Sequence, residues 1–262
     1  MINTLNIRYA AIRRRKIRIR NAIGLFQSLS HGRKERAIFG TLTYRPGVDW
    51  EPYHISSYVD DLYQWAKRHE VTLHMVWVAE MQERGAVHYH YALWVPRHLT
   101  VPMPDKQGWW THGLTNVQYV KKSIYKYLSK YMTKPDDAAR PKGLRSYGFV
   151  GLDEKNKNFL RVWSCPEWLK RYIFEHAVIK KIGRYWLDLT EKKMYLGPFR
   201  CYGKCGENLI LENVGYVTVY RLEDGFDPKS TPGPIPPPNN TPQGLFYHPP
   251  SSRRETGYRP SY

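Results

Sequence analysis

The stretch 86–95, AVHYHYALWV, constrains the fold more than any other part of the chain. Side chains alternate across a strand, so residues two apart share a face. Val87, Tyr89, Tyr91, Leu93 and Val95 then make one continuous apolar face, and His88 and His90 point together to the other side. Such a strand presents a core on one side and two imidazoles on the other. A turn, Gln82-Glu83-Arg84-Gly85, precedes it, and residues 71–80, VTLHMVWVAE, read as the strand before that turn. The short link makes the two an antiparallel hairpin.

Other elements arrange themselves around this hairpin. Residues 37–44, AIFGTLTY, read as a strand from their β-branched and aromatic content. Residues 56–69 read as a helix with Val59, Leu62 and Ala66 on one side. A loop rich in Pro, Gly and Trp follows over 96–113. Residues 116–133 read as a second helix, capped by Asn116 or Thr115 and closed by Pro135. A short strand is expected at 145–150 and a helix at 166–181, with Pro166 in its first turn. Residues 184–222 hold several short strand-like runs, and ten of the 19 prolines fall in the last 35 residues.

Four regions result: a basic N-terminal arm over 1–36, a main domain over 37–181, a small β-rich appendage over 182–227, and a proline-rich disordered tail over 228–262. The fold class expected is α+β. No phosphate-loop motif is present, so no helicase motor is evident.

Charge narrows the partners. Lys and Arg number 41 against 23 acidic residues, a net charge of +18 that calls for a polyanion. No apolar run approaches the ~20 residues that span a bilayer, which favours nucleic acid over membrane. The densest block is Arg13, Arg14, Arg15, Lys16, Arg18 and Arg20, expected to be a mobile arm that contacts DNA phosphates, with Lys134 a further DNA contact. The three cysteines, Cys165, Cys201 and Cys205, are too few for a disulfide framework and suit a reducing cytosol.

Two constellations carry chemistry. His88 and His90 on one strand face suit a divalent cation, and Glu80, ending the preceding strand, supplies the carboxylate that a hard ion such as Mg²⁺ or Mn²⁺ prefers. Glu83, in the turn, is the alternative third ligand. On the helix, Tyr127 and Tyr131 lie one turn apart, with Lys130 and Lys134 at the same spacing beside them. Val117, Val120, Ile124 and Leu128 mark the buried stripe; Tyr127 stands at its edge and Tyr131 nearer its centre. Tyrosine and metal together suit attack of a phenol oxygen on a DNA phosphodiester.

Three segments, in order, resemble the HUH endonuclease superfamily, and within it the rolling-circle replication initiators of phages and plasmids. Phe39-Gly-Thr-Leu-Thr-Tyr44 resembles the first motif, Glu80-Met-Gln-Glu-Arg-Gly-Ala-Val-His-Tyr-His90 the metal-binding second, and Tyr127-Leu-Ser-Lys-Tyr-Met-Thr-Lys134 the third in its two-tyrosine form. Arg145-Ser-Tyr-Gly148 resembles a segment that often follows. The resemblance covers about residues 37–150 and implies a central antiparallel sheet flanked by helices, related to RNA-recognition folds. It implies His88, His90 and Glu80 as ligands of Mg²⁺ or Mn²⁺, Tyr127 as nucleophile, Tyr131 as second nucleophile and Lys130 as an aid at the phosphate. The implied partners are single-stranded or hairpin origin DNA and a host helicase and polymerase, in the cytoplasm of a bacterial cell. A transposase or mobilisation relaxase would use the same chemistry. A catalytically silent DNA-binding protein would share only the charge.

Overall fold

The computed structural model describes residues 2–120, 123–132 and 140–222. Their elements run β1 (Ile2–Asn6), α1 (Ile7–His31), β2 (Glu35–Thr43), α2 (His54–Arg68), β3 (His74–Met81), β4 (Val87–Pro96), β5 (Thr115–Tyr119), α3 (Ile124–Met132), β6 (Tyr147–Val150), α4 (Glu154–Trp163), α5 (Glu167–Lys170), β7 (Ile179–Ile182), β8 (Tyr185–Asp188), β9 (Lys193–Leu196), β10 (Phe199–Cys205), β11 (Asn208–Asn213) and β12 (Thr218–Arg221). The fold is α+β, as expected. It divides into two compact units, one running to Ser164 and including Cys201–Glu212, the other made of Cys165–Arg200 and the chain from Asn213.

The first unit is built on a five-stranded antiparallel sheet of order β5-β2-β4-β3-β6. The expected hairpin is present: Gln82 N–H donates to Ala86 O at 2.9 Å, and Gly85 takes a positive φ of 81° to turn the chain. Both faces of the sheet are covered. On one, Tyr58, Leu62 and Trp65 of α2 pack on Leu42, Met75, Tyr89, Tyr91 and Leu93. On the other, Ile19, Ile23 and Phe26 of α1, Ile124 and Leu128 of α3 and Leu160 of α4 pack on Phe39, Val76, Val78, Ala92 and Trp94. Gly40 makes this stacking possible: a Cβ there would stand 2.0 Å from Cζ of Tyr91.

Three expectations need correction. The basic segment 1–36 is not a mobile arm. β1 pairs with β11, and α1 is a 25-residue helix started by the Asn6 side chain, which accepts from Tyr9 N–H at 3.1 Å. The spacing Ile19, Ala22, Ile23, Phe26 puts one apolar stripe on the sheet, and that burial outweighs the repulsion among the arginines of its first half. Residues 116–133 are not one helix. The β-branched and aromatic run Thr115–Tyr119 extends the edge of β2, with Gly40 opposite Val117, and α3 starts only after Ser123. Residues 166–181 hold only the short α5 before β7, whereas the helix α4, capped by Asp153 accepting from Asn156 N–H at 2.7 Å, lies where no helix was expected.

The second unit carries a four-stranded sheet of order β12-β9-β8-β7, with Leu169, Ala177, Ile179, Leu187, Met194 and Tyr195 buried. β10 and β11 instead join β1 in a three-stranded sheet. The expected boundary at 181/182 therefore falls inside β7, and the β-rich appendage expected over 182–227 is split between two sheets. The expected tail over 228–262 lies outside the described residues. All three cysteines are free, and among the described residues no helix is long and apolar enough to cross a membrane.

Candidate active site

Strand register alone assembles the first part of the site. β3 and β4 pair with Glu80 opposite His88 and Val78 opposite His90, and β2 sets Thr41 opposite His90 and Thr43 opposite His88. Alternation puts Glu80, His88 and His90 on the face that α1 and α3 cover, and all three are buried. The His88 and His90 rings lie 6.0 Å apart. His90 is gripped at both ring nitrogens: Nε2 is 2.8 Å from Oε2 of Glu80, and Nδ1 is 3.2 Å from the Thr41 hydroxyl. A neutral ring satisfies both by donating from Nε2 to the carboxylate and accepting from the hydroxyl at Nδ1.

Helix α3 brings the tyrosines to the same place. Ile124 and Leu128 point into the core, which turns Tyr127 and Tyr131 along the sheet. Tyr131 stacks face to face on His90, with centroids 3.5 Å apart and planes 13° from parallel. The Phe39 ring is the common neighbour, 5.5 Å from Tyr127, 6.2 Å from Tyr131 and 5.8 Å from His90. Tyr131 sits over the histidine strand, in keeping with its place near the centre of the helix stripe. Lys130 is exposed on the same helix, and Lys134 lies outside the described residues.

Two imidazoles and one carboxylate on adjacent strands of one face fit a divalent cation in donor chemistry. Glu83 is exposed on the turn, so Glu80 is the carboxylate that neighbours both histidines. Among the described residues no set of three or more His, Cys, Asp or Glu side chains stands as a ready-made cation cage; Glu80 and His90 engage each other instead.

The basic residues of α1 line the approach. Arg13, Arg14, Arg18 and Arg20 are exposed, and Arg15 and Lys16 are half-buried. Arg18 reaches the Tyr147 hydroxyl of β6 at 3.3 Å, and the Arg20 guanidinium stands 6.0 Å from the Tyr125 ring of α3. The positive charge read as an arm is thus carried by a rigid helix packed on the same face as the tyrosines.

Sequence reasoning gave no role to a second aromatic cluster on the α2 face. His54 and His112 stack at 3.6 Å, and the Tyr44 hydroxyl meets His54 Nδ1 at 3.0 Å. Burial holds both imidazoles below the ordinary histidine pKa; the neighbouring His54 and Arg45 add to this at His112. Trp110 is buried there and donates to Thr43 O at 3.1 Å, so it is a core plug. No spacing rule could have joined residues 44, 54, 110 and 112, because a long loop brings them together.

No curated protein and no solved structure matches the chain. Residues 37–136 do match a family model. This stretch is under half of the chain, but it runs from β2 through α3 and contains Glu80, His88, His90, Tyr127, Lys130 and Tyr131. The family is that of the replication-associated proteins of the ORF2 type, and the match supports a replication initiator that acts on DNA.

Proposed function

We propose that the chain starts rolling-circle replication by cutting and later rejoining single-stranded origin DNA through a tyrosine. The observation that carries this reading is the packing of the tyrosine helix onto the histidine strand, with Tyr131 on His90 and Tyr127 beside the shared Phe39 ring. A Mg²⁺ or Mn²⁺ ion held by Glu80, His88 and His90 supplies Lewis-acid polarisation of the scissile phosphate.

The chain's own groups do the rest. Tyr127 gives up its phenolic proton and its oxygen attacks the phosphorus. A tyrosine–phosphorus bond forms, the bond to the 3′ oxygen breaks, and that oxygen takes up a proton to leave a free 3′-hydroxyl for a polymerase. Lys130 donates to a non-bridging phosphate oxygen, where negative charge grows in the transition state. The phosphodiester energy is kept in the phosphotyrosine, so a later 3′-hydroxyl reverses the step. Tyr131, one turn away, takes the second transfer while the first strand end stays attached. The arginines of α1 hold the backbone, and a host helicase opens the duplex.

The test is covalent capture. Full-length protein with Mn²⁺ or Mg²⁺ is incubated with hairpin-bearing single strands drawn from DNA flanking its gene. The expected product is an SDS-resistant adduct on the 5′-phosphate fragment, lost in Tyr127→Phe. The stack on His90 favours a second assignment, in which Tyr131 attacks first; an adduct that survives Tyr127→Phe and disappears in Tyr131→Phe establishes that order. Binding without any adduct would leave a silent DNA-binding protein. Attachment to strands from a transposon end or a transfer origin, and not from a replication origin, would indicate a transposase or a relaxase.

A further inference from the structure

Far along β2 from the histidines, a cleft of about 540 Å³ opens between the last turn of α1, the start of β2 and the end of β5. Glu35 lies six residues before Thr41, about 20 Å away at strand spacing. The polar lining is Ser30, His31, Glu35, Arg36, Arg97 and Tyr119. Three of these side chains carry a buried polar atom that has no hydrogen-bond partner: the Ser30 hydroxyl, Oε2 of Glu35 and Nε of Arg36. Ser30 itself is only 5% exposed. Buried polar atoms are rarely left unpaired, and three around one cleft mark a place where something else completes them.

The chemistry of the three narrows that ligand. A bare cation is disfavoured, because Arg36, Arg97 and His31 surround the one carboxylate. A bare phosphate is disfavoured, because Glu35 would repel it. What fits is a neutral group with N–H donors and an acceptor oxygen on one edge, joined to an anion that the rim can hold. The wall already has an aromatic platform. Tyr119 is 53% exposed, and the Arg36 guanidinium lies 4.1 Å from the centre of its ring while donating to its hydroxyl at 3.0 Å. Tyrosine rings and guanidinium planes are the surfaces on which unpaired bases stack.

We propose that this cleft takes one unpaired guanine nucleotide of single-stranded DNA. Of the four bases, guanine offers two adjacent N–H donors to a carboxylate beside a carbonyl oxygen that accepts from a guanidinium N–H. Glu35 takes the donors, Arg36 Nε serves the carbonyl oxygen, and Arg97 and His31 face the flanking phosphates. The site selects which strand is held and takes no part in breaking it. It rests on the DNA-binding half of the reading above.

The experiment needs no cleavage. Full-length protein in EDTA is titrated with fluorescein-labelled dT12 and with the same strand carrying one central dG, dA or dC, read by anisotropy. The dG strand is expected to bind about tenfold tighter than dT12, the scale of one good bidentate base contact. Glu35→Gln removes that preference and leaves dT12 binding intact, which also reports that the variant is folded. Arg97→Ala weakens all four strands alike. Equal affinity for the four strands in the native protein, or a guanine preference that survives Glu35→Gln, overturns the cleft assignment and leaves the nicking reading standing. Failure to bind any strand overturns both.

Discussion

The two faces of the five-stranded sheet draw on alternate residues of the same strands, yet they hold tyrosines in opposite conditions. On the α2 face, Tyr44, Tyr58, Tyr89 and Tyr91 are buried. Burial pushes the Tyr89 phenol up to about 12 and moves the other three in the same direction. These phenols are locked in the neutral form and serve as packing, as where Trp50 Nε1 donates to the Tyr89 hydroxyl at 2.6 Å. On the α1 and α3 face, Tyr127 and Tyr131 are only half-buried, on a helix that also carries Lys130, above two histidines and a glutamate. Tyrosine count says nothing about chemistry here; the face a tyrosine stands on does.

The sharpest way to break that comparison is to remove one hydroxyl from each face. Tyr127→Phe should cut covalent attachment by roughly 10⁴- to 10⁶-fold, the scale of losing a nucleophile, whereas Tyr89→Phe should leave attachment intact and cost about 1 kcal/mol for its lost hydrogen bond. Gel quantification of the adduct and urea unfolding read the two. If the variants behave alike, the faces are not divided in this way.

Next in size is Leu93→Ala on the α2 face, expected to lower unfolding free energy by about 2–5 kcal/mol through the cavity it leaves. Adduct formation per folded molecule should stay at the native level. A selective loss of attachment would mean the α2 face reaches the chemistry.

Smaller is the effect of Arg13→Gln with Arg14→Gln on the exposed side of α1. If each arginine meets one phosphate, the slope of log affinity against log salt should fall by about 1.4 for single-stranded DNA. An unchanged slope would remove α1 from the DNA path. Deleting residues 1–20 is no longer a clean test, because Ile19 is part of the core.

The smallest effect is on pH dependence. Burial lowers the folded-state pKa of His54, His112 and His74. The unfolded chain then binds protons that the folded one refuses, so stability present above the ordinary histidine value of about 6.5 is lost as the pH falls below it, until the folded values are passed. Denaturant midpoints should drop between about pH 7.5 and about 5.5, and the His54→Gln, His112→Gln double variant should drop less. An identical drop would assign the effect to His74 or to other groups.

Much of the site was legible because strand alternation and a short turn fix register. Once residues 71–95 form a hairpin, Glu80 must face His88. The α2 helix and β6 were legible for the same local reasons. The rest depended on distant partners. The arginines of α1 hide an apolar stripe that starts only at Ile19. Residues 115–120 suit either a helix or a strand, and the open edge of β2 decides for the strand. Thr41 and Phe39 acquire their roles from pairing with β4 and from α3, which no local pattern predicts. In α4 only Leu160 and Val162 are buried, too few to show a helical period.

The pairing of β1 with β11 bears on how the protein is made. Asn6 and Asn208 share a side-chain hydrogen bond across 202 residues, so the first strand leaves the ribosome long before its partner exists. Until synthesis passes β11, the N-terminal strand keeps an unsatisfied edge beside a densely cationic helix, in a crowd of nucleic acid. A nascent chain of this kind has time to capture polyanions before its fold is closed, and maturation then requires that the last-made strand find the first.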